Sequence, residues 1–202
     1  MNARRSSKQT RNFRSRSERG FTLLELSVSI SVIFIITAVA IFNHKMFSDV
    51  IELANVTEEV ALKVREAQLK GLAVQEYSGS GSFQEGRGVY FNLNDPTQYI
   101  YFGDESNGGT PDGEYDDTTE HISTEMLKNG FTFIRFEDVD GAVILKDEFA
   151  VTFRRPRPEA RLWFEGGAER GAVRIIIESP KERQAYVEIN QTGQITTGRE
   201  NN

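Results

Sequence analysis

The chain has 202 residues, 38% of them hydrophobic and 27% charged, a balance that suits one folded domain plus an extended element and not a disordered polymer. It contains no cysteine, which excludes a disulfide framework and any thiolate metal or redox site, and its two histidines, His44 and His121, leave little material for zinc binding or histidine catalysis. The formal net charge of −6 conceals a basic head, because residues 1–20 carry Arg4, Arg5, Lys8, Arg11, Arg14, Arg16 and Arg19 against one acid, Glu18. The remainder holds 17 basic and 29 acidic side chains, a net charge of −12, which argues against nucleic acid as a partner since such binding relies on neutralising phosphates.

Residues 21–42 follow the basic head as an apolar run, about 33 Å long as an α-helix and enough to cross a bilayer core. The flanking charges place the N-terminus in the cytoplasm and everything after Phe42 outside. Three details separate this run from an ordinary secretory signal. No small-residue cleavage site follows Phe42; a glycine, Gly20, precedes the run instead; and a carboxylate, Glu25, lies near its start. At mid-membrane such a carboxylate costs about 2.5–3.5 kcal/mol, less near an interface, so it calls for a partner.

The segment Arg19-Gly20-Phe21-Thr22-Leu23-Leu24-Glu25-Leu26 resembles the class III signal of type IV pilins and type II secretion pseudopilins. The resemblance implies that a prepilin peptidase cuts between Gly20 and Phe21 and that Phe21 becomes the N-methylated first residue. It also implies that Glu25 pairs with the N-terminal ammonium of a neighbouring subunit. Two charges that are costly alone in an apolar setting are much less so together, and the pair would select the axial stagger during assembly. A monomeric anchor with Glu25 snorkelling to the headgroups is the competing reading.

Leu53, Val56, Val60, Val64, Ala67, Gly71 and Val74 continue the helix at spacings of three and four, with Glu52, Glu58, Glu59, Lys63, Arg65, Glu66 and Lys70 on other faces. One helix over 21–74 is therefore predicted, about 80 Å long, with a transmembrane and assembly half over 21–47 and an amphipathic half over 48–76. Ser78-Gly-Ser-Gly-Ser82 ends it and opens a loop in which Gly86 and Gly88 are also placed; with no strand before it, this is a surface loop and not a phosphate cradle.

The remainder, 77–202, reads as a β-rich head. Period-two alternation marks 149–154, 173–178 and 185–189; Gln191-Thr-Gly-Gln194 turns into Ile195; and 89–93, 99–102, 131–136, 142–145 and 160–164 are further strands. Trp163 and most of the 14 phenylalanines are assigned to the core. The expected fold class is α+β: a long N-terminal helix packed on a head of antiparallel sheets. Residues 172–179 and 184–195 look like the C-terminal region of minor pseudopilins, in particular the one whose head is two packed antiparallel sheets.

Two clusters in the head are candidate sites. Asp104, Asn107, Asp112, Glu114, Asp116 and Glu120 put oxygen ligands on a glycine-bent loop, which is what calcium prefers, although their spacing does not match an EF-hand; a solvated acidic loop competes with that reading. Arg154, Arg155, Arg157 and Arg161 form a basic cluster read as a strand connection. No nucleophile, cofactor or zinc motif stands out, so the expectation is a structural subunit and not an enzyme. The resemblance implies a minor pseudopilin of a type II secretion-like machine. Its partners would be prepilin peptidase, other pilin-like subunits, an inner-membrane assembly platform and the bilayer. A minor pilin for adhesion or DNA uptake, and an anchored domain that never polymerises, are the alternatives.

Overall fold

The computed structural model describes residues 20–73, 86–104, 112–116, 120–167 and 170–200, with the backbone alone for 42–47. Among the described residues one helix, α1 (Leu23–Leu72), is followed by ten strands, and the chain divides into two compact units, Met1–His44 and Lys45–Asn202.

In the first unit the helix begins where its sequence permits a cap. Thr22 Oγ1 accepts the backbone N–H of Glu25 at 3.2 Å, and Thr22 O accepts the N–H of Leu26 at 3.1 Å. Thr22 is thus the N-cap and Glu25 the third helical residue, a carboxylate at the end of the helix that favours negative charge. Leu23–Ile41 has a mean hydropathy of 2.4 and buries none of its surface against the protein. At 1.5 Å per residue it is about 28 Å long, close to the thickness of a hydrocarbon core.

In the second unit the stripe read from the sequence faces inward. Leu53 and Val56 are buried, Val60, Ala61, Val64 and Ala67 are fully so, and each buried valine contributes about 1.5–3 kcal/mol. Gly71 permits the closest approach: a Cβ there would lie 2.3 Å from the backbone oxygen of Phe153. Val74, the last residue assigned to the stripe, lies outside the described residues.

Two five-stranded antiparallel sheets complete the head. The first has the order β3 (His121–Met126), β2 (Gln98–Asp104), β1 (Gly86–Asn92), β6 (Glu148–Arg154), β7 (Arg157–Phe164). The second runs β10 (Ile195–Arg199), β9 (Gln184–Asn190), β8 (Ala172–Glu178), β4 (Thr132–Glu137), β5 (Val143–Ile144). Helix residues and the inner faces of both sheets share one hydrophobic cluster. Phenylalanines join the sheets: Phe91 meets Phe133 edge-on at 5.2 Å, and Phe136 meets Phe149 at 5.5 Å.

Polar ties hold the helix flanks to the sheets. Lys63 pairs with Glu125 at 2.9 Å, and Gln68 Nε2 donates to Gly193 O at 2.8 Å. Buried Asp49 accepts the Ser179 hydroxyl at 3.2 Å, with Lys181 and Arg183 each at 3.7 Å. The α+β class with antiparallel sheets is as expected from the sequence.

Three details differ from the reading of the sequence. Gly86 and Gly88 belong to β1, not to a loop; a Cβ at Gly88 would lie 2.6 Å from the Phe102 ring, so the glycine makes room for that ring. Residues 121–126 form β3, a strand no alternation announced. Trp163 is not core: it lies on the outer face of the first sheet, where its Nε1 donates to Glu114 at 2.8 Å. Eight phenylalanines (Phe91, Phe102, Phe131, Phe133, Phe136, Phe149, Phe153 and Phe164) are fully buried, as assigned.

Candidate functional site

Gly20, Phe21 and Thr22 precede the first turn of α1 and are exposed, with nothing within 4 Å of a Cβ placed on Gly20. The peptide bond between Gly20 and Phe21 thus lies outside the helical hydrogen-bond ladder, with room around the glycine. That suits a protease, which must take its substrate in extended form. The basic residues ahead of it, 1–19, lie outside the described residues.

Beyond that bond, the apolar helix handles its polar groups internally. The hydroxyls of Ser27, Ser29, Ser31 and Thr37 donate to the carbonyls of Leu24, Glu25, Ser27 and Ile33, each at 2.8 Å. Back-bonded in this way, the four hydroxyls would leave no unsatisfied donor in an apolar surrounding. Glu25 is different. Its backbone N–H is capped, yet among the described residues no cation or donor engages its carboxylate. It is the one ionisable side chain in Leu23–Ile41. The geometry therefore places an exposed carboxylate at the start of an apolar helix, one turn from the N-terminus that cleavage after Gly20 would create. Sequence reasoning singled out Gly20, Phe21 and Glu25 and missed the cap. The signal was available, since Thr22-Leu-Leu-Glu25 has the S/T-x-x-E spacing of a capping box.

The acidic loop is brought together only in part. Asp104, at the end of β2, is buried and accepts the Gly113 N–H at 3.3 Å. Burial pushes its carboxyl up to about 6, with Asp112 adding to the rise and the Gly113 N–H, Arg161 and Arg154 opposing it. Asp112 accepts the Glu114 N–H at 3.0 Å, Glu114 takes the Trp163 indole, and Glu120 accepts the Asp116 N–H at 2.8 Å. These bonds shape the loop itself. Among the described residues no three acidic or histidine side chains converge on a point where an ion would sit; Asn107 lies outside them.

The basic cluster was read as a connection between strands, but β6 runs to Arg154 and β7 starts at Arg157, so only Arg155 and Pro156 turn. Arg154, Arg157 and Arg161 line an open cleft of about 570 Å³ together with Asp104, Glu159, Gln191 and Thr192. Arg157 lies 3.8 Å from Glu159, so the cleft mixes both signs.

Residues 15–41 match the family model of the prokaryotic N-terminal methylation motif. This span contains Gly20, Phe21, Glu25 and the whole apolar helix segment, and it supports a type IV pilin-like, prepilin-type signal. No curated protein matches the chain. No solved structure matches it either.

Proposed function

We propose that the chain is a structural subunit, a minor pseudopilin of a type II secretion-like pseudopilus. Prepilin peptidase removes residues 1–20 and methylates Phe21. The apolar helix then holds the subunit in the inner membrane, N-terminus cytoplasmic and head outside, until assembly. The match of residues 15–41 to the methylation motif, with Glu25 set on the first turn of an uncovered apolar helix, carries this reading. A new ammonium at Phe21 and the Glu25 carboxylate of another subunit each lose hydration in an apolar bundle. Pairing offsets part of that cost and is available only at one stagger of the helices.

The chain acts by assembling, and the pilin-like signal suits a protein that is no enzyme. Its partners are other pilin-like subunits and the inner-membrane assembly platform. Force comes from elsewhere in the machine. Expression beside a type II secretion system, with mechanical shearing of the assembled filaments, tests the reading. Recovery of the subunit in the sheared fraction, together with failure of cargo secretion in its absence, is the expected result. A subunit that stays wholly in the membrane fraction while secretion proceeds contradicts it.

A further inference from the structure

A second open cleft, of about 420 Å³, lies against the outer side of the first sheet and is lined by Tyr90, Asn92, Asp95, Gln98, Tyr99, Ile100, Tyr115 and Glu148. Its walls come from β1, β2, the turn between them, β6 and the segment 112–116. That segment is fixed in place: the Tyr115 ring packs on Tyr90 at 4.9 Å and on Phe102 at 5.2 Å, and the neighbouring Glu114 accepts the Trp163 indole. The polar walls are fixed as well. Asn92 Nδ2 donates to the Tyr90 hydroxyl at 3.1 Å and to Glu148 Oε1 at 3.3 Å, and Gln98 Nε2 donates to Asp95 Oδ2 at 2.5 Å. Burial and the adjacent Glu148 push the Tyr90 phenol up, so it stays protonated at any physiological pH.

The lining restricts what enters. Among the described residues it has two carboxylates and no lysine or arginine, which disfavours phosphates, nucleic acids and acidic peptides. Ile100 is the one aliphatic side chain among the described lining residues, too little for a lipid or an apolar peptide. A cation is poorly served, because Asn92 turns an N–H toward Glu148 where a metal would require an oxygen. What remains is a neutral ligand dense in hydroxyls. Planar amides and carboxylates accept and donate to vicinal hydroxyls in pairs, and aromatic rings present an electron-rich face to the C–H side of a sugar ring.

We propose that this cleft binds one or two rings of a neutral glycan, with Tyr115 and Tyr90 as the aromatic wall and Asn92, Asp95, Gln98 and Glu148 as the hydroxyl-reading groups. The site is independent of the assembly role, since no residue of it lies in α1.

The full-length chain is extracted in a detergent without a sugar headgroup and titrated with chitobiose, cellobiose, maltose and lactose. Fluorescence of Trp163, the single tryptophan, is the signal, because its indole is bonded to the segment that carries Tyr115. A saturable change with at least one of these disaccharides is expected. It weakens by about tenfold or more in Tyr115→Ala and in Gln98→Ala, which lies apart from the Tyr115 packing, and is unaltered in Arg157→Ala. Absence of a saturable response to every disaccharide, equal affinity in the cleft variants, or the same response to calcium alone overturns the proposal.

Discussion

Asp104 is the residue where the calcium reading and the proton-linked reading of the acidic loop separate. Its carboxyl is 2% exposed and held at about 6 in the folded chain, above its ordinary value of 3.8, chiefly because burial disfavours the charged form. The folded state therefore binds this proton more tightly than the unfolded state does. The destabilisation is absent below pH 3.8, grows as pH rises to about 6, and is complete above that. At neutral pH it amounts to about 3 kcal/mol, from 1.36 kcal/mol per pH unit. Asn at this position keeps the volume and accepts the Gly113 N–H while carrying no charge. Asp104→Asn is thus expected to stabilise the chain by about 1–3 kcal/mol at pH 7.5, the lower end allowing for burial of the amide, and to differ little from the parent near pH 4. Thermal unfolding of the detergent-extracted chain at both pH values, with calcium and with chelator, reads this out at about 2–4 °C per kcal/mol for a head of this size. Were calcium held by Asp104, the substitution would abolish a calcium-dependent stabilisation and lower the midpoint at pH 7.5. A variant less stable than the parent at that pH refutes the argument.

Gly71→Ala sets helix propensity against packing. Alanine gains less than about 1 kcal/mol here, in the last turn of α1, and its Cβ would stand 2.3 Å from the Phe153 carbonyl oxygen, a backbone atom that yields only if β6 moves. A net loss of about 2 kcal/mol in denaturant unfolding is expected; a neutral or stabilised variant would show that the helix approaches β6 less closely. Glu25→Ala is expected to leave the protein in the membrane, where loss of a charge favours insertion, and to abolish filament incorporation; normal incorporation in sheared filaments argues against pairing. DNA is not expected to be retained by the extracted chain at about 0.15 M salt, given the surrounding acidity. Salt-sensitive retention lost on replacing Arg154, Arg155 and Arg157 by alanine would instead favour a DNA-uptake filament.

The helix was legible because its apolar positions repeat at the helical period without interruption from Leu53 to Gly71. Most strands were legible because alternate residues turn to the core, as in β9, where Ala185, Val187 and Ile189 are buried between half-buried neighbours. β3 escaped notice for the opposite reason: it is an edge strand with neither face in the core, so His121-Ile-Ser-Thr-Glu-Met126 carries no burial pattern to read. Trp163 was misassigned through its residue type, although its position held the answer. Ala160, Leu162 and Phe164 face inward, so a period of two places Trp163 outward. Gly20, Phe21 and Glu25 could be picked out from a local motif, since everything the site needs lies within eight residues. The glycan cleft is the reverse case. Tyr115 and Glu148 lie far in the chain from the hairpin that carries Asn92 and Gln98 and reach it only through ring packing and strand pairing, so no spacing announces the cleft.

If Gly20–Phe21 is a processing site and the helix behind it an assembly element, the mature chain must begin at Phe21. Intact mass and N-terminal sequencing of the membrane-extracted chain, produced with and without a prepilin peptidase, test it most directly. A chain that begins at Phe21 and carries one added methyl, formed only when the peptidase is present, is the predicted result. A chain that keeps residues upstream of Gly20, or is cut beyond Phe42, contradicts the account.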